Sequence, residues 1–407
     1  MACAAPRFLL PALLATSVCA QSIWLVGEGQ PHNIASGAAA AANGDILLVQ
    51  SLTGTWFEGG FTLDKGVTVR GPAVVMGSWS MNWSGSTTLV VQSGAVAVLE
   101  RITFGFTDGG PAGPGPSSMT VRSGTVLFRE CSFDGTIRVD AGASAVLERC
   151  TVRASSDWDA WITCDGHLEL RDCTVRGSDA GCIYGPGLNC VAGRPAKPAV
   201  LITRGSLHVE RTTLAGGAAR VVTAQHLAAQ PALRMQSGNA WLSSSTLSGG
   251  ADATGWPFGG AVPASAIVNS SSSPIALDGV TLIPGGAGVP PAQGPIDLTA
   301  SLVQLVVPAL SLGATTTLTV SGDPGEVVAL LWAPDASPTT HPLVAQPLWF
   351  LSGVTIAGGS TDGSGAWSLP LAVPNLPGLR HARVQLQAIG GNGTAIRAST
   401  LSCRLVD

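Results

Sequence analysis

Charge is scarce in this chain of 407 residues, and lysine is almost missing. Charged side chains make up 11% of the sequence, and Lys65 and Lys197 are its two lysines. Disordered chains are polar and rich in charge, so this composition favours a folded protein. The net charge of −4 lacks the basic excess that nucleic-acid binding requires. We therefore expect no nucleic-acid partner.

Long apolar runs are also missing. None reaches the ~18 residues that a membrane-spanning helix needs, so we expect no transmembrane segment in the mature chain. Residues 1–20 have the features of a secretory signal, with a single positive charge, an apolar stretch over 8–18 and a small residue at Ala20. Cleavage after Ala20 is preferred to a lipid-anchor site at Cys19, because Val18 is not the small residue that such a site needs. The protein is expected to be secreted or held at the cell surface.

A strand motif repeats along the chain. Two alternating apolar stretches flank a glycine, as in LVVQSGAVAVLERITF from Leu89 and IRVDAGASAVLERCTV from Ile137, and a degraded copy starts at Ile267. The loops between copies differ in length while the strands do not, which is typical of a coiled β-solenoid. The hinge glycines of the six clear copies are Gly94, Gly124, Gly142, Gly166, Gly205 and Gly238.

The alternation assigns one side of each strand to an interior. Residues three and five positions before the hinge are apolar in five copies, and the fourth copy has Trp161 and Thr163 there, which predicts an interior Trp161. Such a strand pair cannot bury its apolar side alone, so copies must stack, and connections that lead onward to equivalent strands make the stack parallel. An Ala-rich stretch over 33–42 predicts a short helix that caps the open end.

The N-terminal run AANGDILLV, the following FTLDKGVTVRG and the repeat endings ECSF, RCTV and DCTV carry a family resemblance. They resemble right-handed parallel β-helix proteins of the pectate lyase and pectin esterase type, over roughly residues 23–285. The resemblance implies the fold. It does not extend to the superfamily's catalytic patterns, because the paired aspartates with Gly-His-Gly and the Arg-x-Pro-x-x-Arg string are absent from this sequence.

The repeated strand motif ends near residue 285. GGAGVPPAQGP predicts a Pro/Gly linker over 286–300, and short extended runs separated by turns follow it. We therefore predict an all-β protein. A right-handed parallel β-helix with a short N-terminal capping helix occupies 21–285, and a small β-sandwich-like domain occupies 301–407.

Seven of the nine cysteines lie beyond residue 20. Three of them fall in one slot of successive copies, where other copies carry Ile, Thr or Ser, and we interpret this slot as a buried ladder of thiols, Cys131, Cys150 and Cys173. Cys182 and Cys190 flank a Gly/Pro-rich loop and are the best disulfide candidates, although Cys164 could compete for either partner. The spacing predicts no metal site.

The outward positions before the hinges supply the first candidate site. Arg122, Arg138 and Asp140 lie there, and a lyase or hydrolase working along the groove would use them. Glycoside hydrolysis needs two carboxylates about 5–10 Å apart, and this face offers Asp140 alone. A lone aspartate on a solvated face is more simply structural.

Aromatic loops supply the second candidate site. Asp157, Trp158 and Asp159 could grip a sugar or a Ca²⁺ ion, or could form a polar turn in which the aspartates bind their own backbone. Trp79 and Trp83 could stack on sugar rings, or could pack a loop onto the coils.

Charged residues alternate outward on the second strand of two adjacent copies. Glu169, Arg171, His208 and Glu210 predict ion pairs across coils on a solvent-exposed face, each contributing at most about 1 kcal/mol. An acid–base role for His208 next to Glu169 is the alternative.

Three functions are compatible with the sequence. The first is an exported, non-catalytic β-helix that acts as an envelope, matrix or adhesion component and contacts polysaccharide. The second is a polysaccharide lyase or glycoside hydrolase that uses Asp140, Arg122, Arg138 and Asp157. The third is a carbohydrate-binding module that uses Trp158, Trp79 and Trp83. We favour the first function, with no required cofactor. The oligomeric state does not follow from the sequence.

Overall fold

The computed structural model describes residues 22–50, 57–58, 61–75, 86–91, 95–105, 117–153, 161–184, 190–222, 225–252, 262–333, 338–350, 353–393 and 395–407. The predicted signal peptide over 1–20 lies outside them. Within the described residues, no helix has both the length and the apolar character needed to cross a bilayer. The described residues beyond Ser22 divide into two compact units, Ile23–Ala300 and Ser301–Asp407.

The first unit consists of one short helix and many short strands. Its N-terminal elements are β1 (Ile23–Gly27), α1 (Ile34–Ala40), β2 (Ile46–Gln50), β3 (Phe57–Glu58), β4 (Thr62–Leu63), β5 (Thr68–Val75), β6 (Ser86–Val90), β7 (Val96–Phe104), β8 (Ser117–Arg129) and β9 (Ser132–Val139). Its central elements are β10 (Ala143–Glu148), β11 (Thr151–Arg153), β12 (Trp161–Cys164), β13 (His167–Arg171), β14 (Thr174–Arg176), β15 (Gly181–Tyr184), β16 (Cys190–Arg194), β17 (Val200–Ile202), β18 (Ser206–Glu210) and β19 (Thr213–Ala215). Its last elements are β20 (Arg220–Val222), β21 (Gln225–Leu227), β22 (Leu233–Met235), β23 (Asn239–Ser243), β24 (Thr246–Ser248), β25 (Ile267–Asn269), β26 (Ile275–Asp278), β27 (Thr281–Ile283), β28 (Ala292–Gln293) and β29 (Ile296–Asp297).

Three parallel sheets run along the coils. The first sheet stacks β12, β17, β22, β25 and β28 in register after the end of β9. The second stacks β10, β13, β18, β23, β26 and β29. The third stacks β11, β14, β19, β24 and β27. The predicted parallel β-helix is therefore confirmed, and parallel crossovers of this kind are right-handed almost without exception.

Interior columns of side chains hold the coils together. The alternation predicted that the residues before each hinge face inward, and Leu89, Val121, Val139 and Ile202 are indeed fully buried. The fourth copy differs from the prediction. Its hinge is one residue shorter, so Ile162 and Cys164 align with the interior columns of the neighbouring strands, and both are fully buried. Trp161 and Thr163 consequently lie on the outer side, which corrects the prediction that Trp161 belongs to the core.

The corner between the second and third sheets uses a left-handed residue in seven consecutive coils. Six non-glycine residues adopt φ between 47° and 54° there, and the next coil has a glycine at φ 61°; they are Arg101, Glu130, Arg149, Asp172, Arg211, Ser244 and Gly279. A side chain in this region costs roughly 1–2 kcal/mol, so the repeated geometry must be imposed by the stacked strands on either side.

The residue after each left-handed corner fills the predicted small slot. Cys131, Cys150 and Cys173 are buried free thiols, as expected. The contacts explain the residue types. The Cys150 N–H donates to Cys173 Sγ, and the Cys173 N–H donates to Thr212 Oγ1 at 3.1 Å, so each slot side chain satisfies a backbone group of the preceding coil. The Thr212 N–H continues the series to Ser245 Oγ.

The predicted N-terminal cap is present. Asn33 accepts from the Ser36 N–H while the Ser36 hydroxyl accepts from the Asn33 N–H, and this capping box begins α1. At the other end, Lys65 Nζ donates to the carbonyls of Ala39 and Ala41 at 2.6 and 2.8 Å. This cation at the helix C-terminus is favourable to the helix dipole.

The coils extend further than the sequence predicted. We assigned 286–300 to a linker, but β28 pairs with β25 and β29 pairs with β26, both in parallel. The proline-rich run is compatible with these positions because β28 and β29 have two residues each, so few ladder hydrogen bonds are needed.

The second unit contains two sheets. Its elements are β30 (Gln304–Val306), β31 (Thr315–Ser321), β32 (Val327–Trp332), β33 (Thr339–His341), β34 (Val344–Leu348), β35 (Val354–Ser360), β36 (Ala366–Ala372), β37 (Arg383–Gly391), β38 (Ile396–Ala398) and β39 (Ser402–Leu405), with a 3₁₀ turn at Pro377–Leu379. β30, β31 and β36 form a three-stranded sheet, and the other strands form a seven-stranded one. Residues of both sheets, such as Leu318 and Leu386, share one hydrophobic core, so the predicted sandwich-like architecture is confirmed.

Candidate functional site

The outer side of the first sheet brings together residues from consecutive coils. Arg138 on β9 is the register partner of Thr163 on β12. Asp165 follows β12, and its N–H donates to the Val139 carbonyl at 2.8 Å. The ladder therefore continues past the strand ends and places Asp140 and Asp165 side by side on adjacent coils, at the usual ~4.8 Å strand spacing.

Trp161 begins the outer row of β12. Its ring is half-buried, and Lys197 Nζ lies 5.0 Å from the ring centroid, within the range of a cation–π interaction. Because alternate residues of a strand share one side, Trp161, Thr163 and Asp165 line the same outer face. The arrangement combines a partly exposed aromatic ring with hydroxyl and charged groups.

Each carboxylate of this face has a polar partner. Arg138 Nε donates to Asp140 Oδ1 at 2.6 Å, and this hydrogen bond, with the aspartate's charge, raises the pKa of Arg138. Asp165 accepts from the Thr203 hydroxyl, and Arg204 Nε lies 3.8 Å from its Oδ1. The side chains of Asp140 and Asp165 are 27% and 24% exposed, so neither lies in an apolar pocket.

The structure locates three of the predicted site residues. Arg138 and Asp140 form one ion pair on this face, and Arg122 is exposed on the preceding coil, where the Asp140 N–H donates to the Val121 carbonyl. The remaining candidates, Asp157, Trp158, Asp159, Trp79 and Trp83, lie outside the described residues. The sequence reading missed Trp161 and Asp165 because it aligned the fourth copy one residue out of register.

The charged residues of the second sheet are buried, which corrects the prediction of a solvent-exposed face. Glu169 and Glu210 are fully buried, and Arg171 and His208 are 1% exposed. The predicted stacking is present, because Glu169 is the register partner of His208 and Arg171 that of Glu210. The predicted solvent exposure of these charges was wrong. Apolar residues on the same outward side, Val98, Leu127 and Val146, are as deeply buried, so this side of the second sheet is shielded from solvent as a whole.

A hairpin carries the predicted disulfide candidates. Cys182 lies on β15, which pairs antiparallel with β16, and Cys190 is the register partner of Tyr184. Cys182 is disulfide-bonded. Cys164 is a free, fully buried thiol whose pKa is raised to about 12 by burial. The pairing of Cys182 with Cys190 stays a prediction.

A metal site would need three or more His, Cys, Asp or Glu side chains close together in the described part of the chain. There, no three His, Cys, Asp or Glu side chains converge so as to hold a metal ion. The loop 157–159, for which we considered Ca²⁺, is not part of that region.

Comparison with known proteins leaves the family open. No family model matches the sequence, and no curated protein does. Among solved structures, the enzymatically active domain of tailspike protein 2 from bacteriophage CBA120 is similar at a TM-score of 0.30 and 10% identity, over 88% of this chain and 72% of that chain. Full-length tailspike protein 2 from an Escherichia coli O157:H7 bacteriophage is similar at a TM-score of 0.25 and 10% identity, over 88% and 64% of the two chains. Likeness at this level carries no inference about activity.

Pairing, register and core define the class. This chain is a parallel β-helix protein with a capping helix at its N-terminal end and a C-terminal unit of two sheets that share one core.

Proposed function

We propose that this protein is exported and binds a polysaccharide on the outer face of its first sheet, as an envelope, matrix or adhesion component. The observation that carries the proposal is the half-buried Trp161 ring, which shares its face with Thr163, Asp165 and the Arg138–Asp140 pair. Sugar rings stack on aromatic faces, and their hydroxyls bond to charged groups. Because coils repeat every ~4.8 Å, the row follows the helix axis as an extended chain would.

Binding rather than cleavage of the glycosidic bond is proposed for this face. Glycoside hydrolysis needs one carboxyl group that holds a proton and a second that is ionised. Asp140 and Asp165 instead each have a guanidinium partner and are partly exposed. Their adjacency is nevertheless the specific observation that favours the alternative, a lyase or hydrolase using Asp140 with Arg122 and Arg138.

A glycan array with the mature chain tests the proposal and identifies the ligand. We expect Trp161→Ala to weaken binding about tenfold, the loss of one stacked ring. Arg138→Ala should weaken it as well. Arg153→Ala is the matched control, because Arg153 is equally exposed and also paired to an aspartate, Asp134, but lies on the third sheet.

Two outcomes would contradict the proposal. Binding that is unchanged by Trp161→Ala would move the ligand away from this face, and the aromatic residues 79, 83 and 158 would then be tested as a separate carbohydrate-binding site. Release of reducing sugar or unsaturated uronate that is lost in Asp140→Asn or Asp165→Asn would establish the enzymatic alternative. Cell fractionation of the producing organism tests the proposed export.

A further inference from the structure

The second sheet carries three polar side chains that the binding face does not use. His167 on β13 is 6% exposed, and Glu169 two residues later is fully buried. Ser206 on β18 is the register partner of His167 and is half-buried. The His167 ring joins the other two: Nδ1 lies 2.7 Å from Ser206 Oγ, and Nε2 lies 3.2 Å from Glu169 Oε1.

In the neutral imidazole, these contacts assign the proton to one ring nitrogen of His167. A carboxylate can only accept, so His167 Nε2–H donates to Glu169. The lone pair of Nδ1 then faces the Ser206 hydroxyl, which donates to it. An imidazole held in this way by a buried carboxylate takes the proton from a serine that attacks a carbonyl.

Ser206 lies on a tight corner beside the proposed binding face. Gly205 precedes it at φ 90°, and a Cβ at Gly205 would lie 1.9 Å from the Gly166 carbonyl oxygen, so the corner requires glycine. Arg204, whose guanidinium pairs with Asp165, comes directly before. A ligand that contacts Arg204 on the first-sheet face would therefore lie within two residues of the Ser206 hydroxyl.

We propose that Ser206, His167 and Glu169 hydrolyse an ester. Ser206 Oγ bonds to the acyl carbon as its proton moves to His167 Nδ1. The carbon–oxygen bond to the alcohol then breaks, and the departing alkoxide takes that proton. Water attacks the acyl-serine by the same route and releases the carboxylic acid. Ser206 and His167 are the catalytic residues, and Glu169 is a positioning residue.

The substrate class follows in two parts. The ester chemistry rests on the three side chains alone. That the ester is an acyl substituent of a polysaccharide rests on the proposed function, because the adjoining first-sheet face would present the chain to Ser206.

Covalent labelling of the full mature chain with a fluorophosphonate tests the ester chemistry. We expect the label on Ser206 in peptide mass spectra, and a labelling rate at least about 100-fold lower in His167→Asn. Ser206→Ala should abolish labelling. Ser144→Ala is the matched control, because Ser144 is the register partner of His167 on the preceding coil and should leave the rate unchanged.

Glu169 is tested by Glu169→Gln and Glu169→Asp. A positioning role predicts that the labelling rate falls with Gln and is partly restored with Asp, whereas a purely structural role predicts equal losses. Thermal unfolding of every variant identifies those that do not fold, and Ser206→Ala keeps the test decisive because it changes a half-buried side chain.

The two proposals fail separately. Ser206→Ala should retain glycan binding, and Trp161→Ala should retain fluorophosphonate labelling. An unlabelled Ser206, or hydrolysis of p-nitrophenyl acetate that is as fast in Ser206→Ala as in the parent, would overturn the esterase. Labelling of Ser206 in a protein that binds no glycan would support the ester hydrolysis and contradict the proposal that the substrate is a polysaccharide.

Discussion

At the scale of single residues, the most informative pattern is a checkerboard of charge across the second sheet and its corner. The last outward residue of the second sheet alternates in sign from coil to coil, and the left-handed residue after it alternates in the opposite sense. The dipeptides are Glu100-Arg101, Arg129-Glu130, Glu148-Arg149, Arg171-Asp172 and Glu210-Arg211. If one strand slipped by one residue against its neighbour, like charges would face each other, as Glu100 and Glu130 would. The alternation therefore favours the observed register.

The buried pair within the checkerboard predicts a strong asymmetry between single and double substitutions. Arg171 and Glu210 lie 3.2 Å apart with side chains 1% and 0% exposed. We expect Glu210→Met to cost about 3–5 kcal/mol, because it removes the carboxylate that pairs with the buried Arg171 guanidinium, and Arg171→Met with Glu210→Met to recover most of that loss. Denaturant unfolding measures both. Arg176→Met, which breaks the exposed pair with Asp179, should cost under about 1 kcal/mol; equal effects at both sites would refute the argument.

His208 predicts how stability depends on pH. Burial lowers its pKa from the ordinary 6.5, and the charges of Glu169 and Glu210 oppose this shift only in part, while His167 and Arg171 add to it. The unfolded chain therefore binds a proton that the folded chain does not. The contribution of neutral His208 to stability is therefore fully present above pH 6.5, and it is lost as the pH is lowered below that value. The difference in unfolding free energy between pH 7.5 and 5.5 should shrink in His208→Leu. An unchanged difference would assign the pH dependence to other groups.

At the scale of elements, the left-handed corner is where local preference and stacking disagree. Ser244 occupies it at φ 47°, and the next coil has Gly279 in the same place. The strands on both sides impose the conformation, so the backbone strain is carried at the corner and offset by the ladder hydrogen bonds.

Glycine should be favourable at this corner. We expect Ser244→Gly to raise the unfolding free energy by about 1 kcal/mol, because an exposed side chain that resists positive φ is removed. Thr246→Gly, two residues away in β24, should lower it by about the same amount. Thermal melts of the two variants check the sign, and a loss of stability in both would show that the corner is not strained.

At the scale of the whole molecule, the described residues form two large hydrophobic cores, one in each compact unit. One is built from residues between Val26 and Leu277, and the other from residues between Val303 and Val406. Domains with separate cores unfold as separate cooperative units. Calorimetry should therefore resolve two transitions, and Leu386→Ala, which opens a cavity in the second core, should move one of them alone. A single transition that shifts as a whole would mean that the cores are coupled.

The sequence carried the architecture but not the site. Period-two alternation and the hinge glycines sufficed for the parallel β-helix, because a strand can bury only one side. Trp161 was misassigned because one missing hinge residue inverts the side of every residue before it, and a single sequence offers no register. The exposure of the second sheet was misjudged because alternation distinguishes inner from outer sides, not solvent from shielded surroundings. The His167–Ser206 contact joins two coils, and no spacing within either coil encodes it.

The three connections within a coil differ in how much variation they tolerate. Two are short corners, whereas the third runs from Arg176 to Val200 in one coil and only from Ile283 to Ala292 in another. Among the described residues, this connection contains the hairpin β15–β16 in one coil and β20–β21 in the next. Segments gained or lost at that connection leave the rungs above and below unchanged. The molecule therefore has one edge open to evolutionary or engineered grafting, where a foreign peptide could be displayed without disturbing the scaffold.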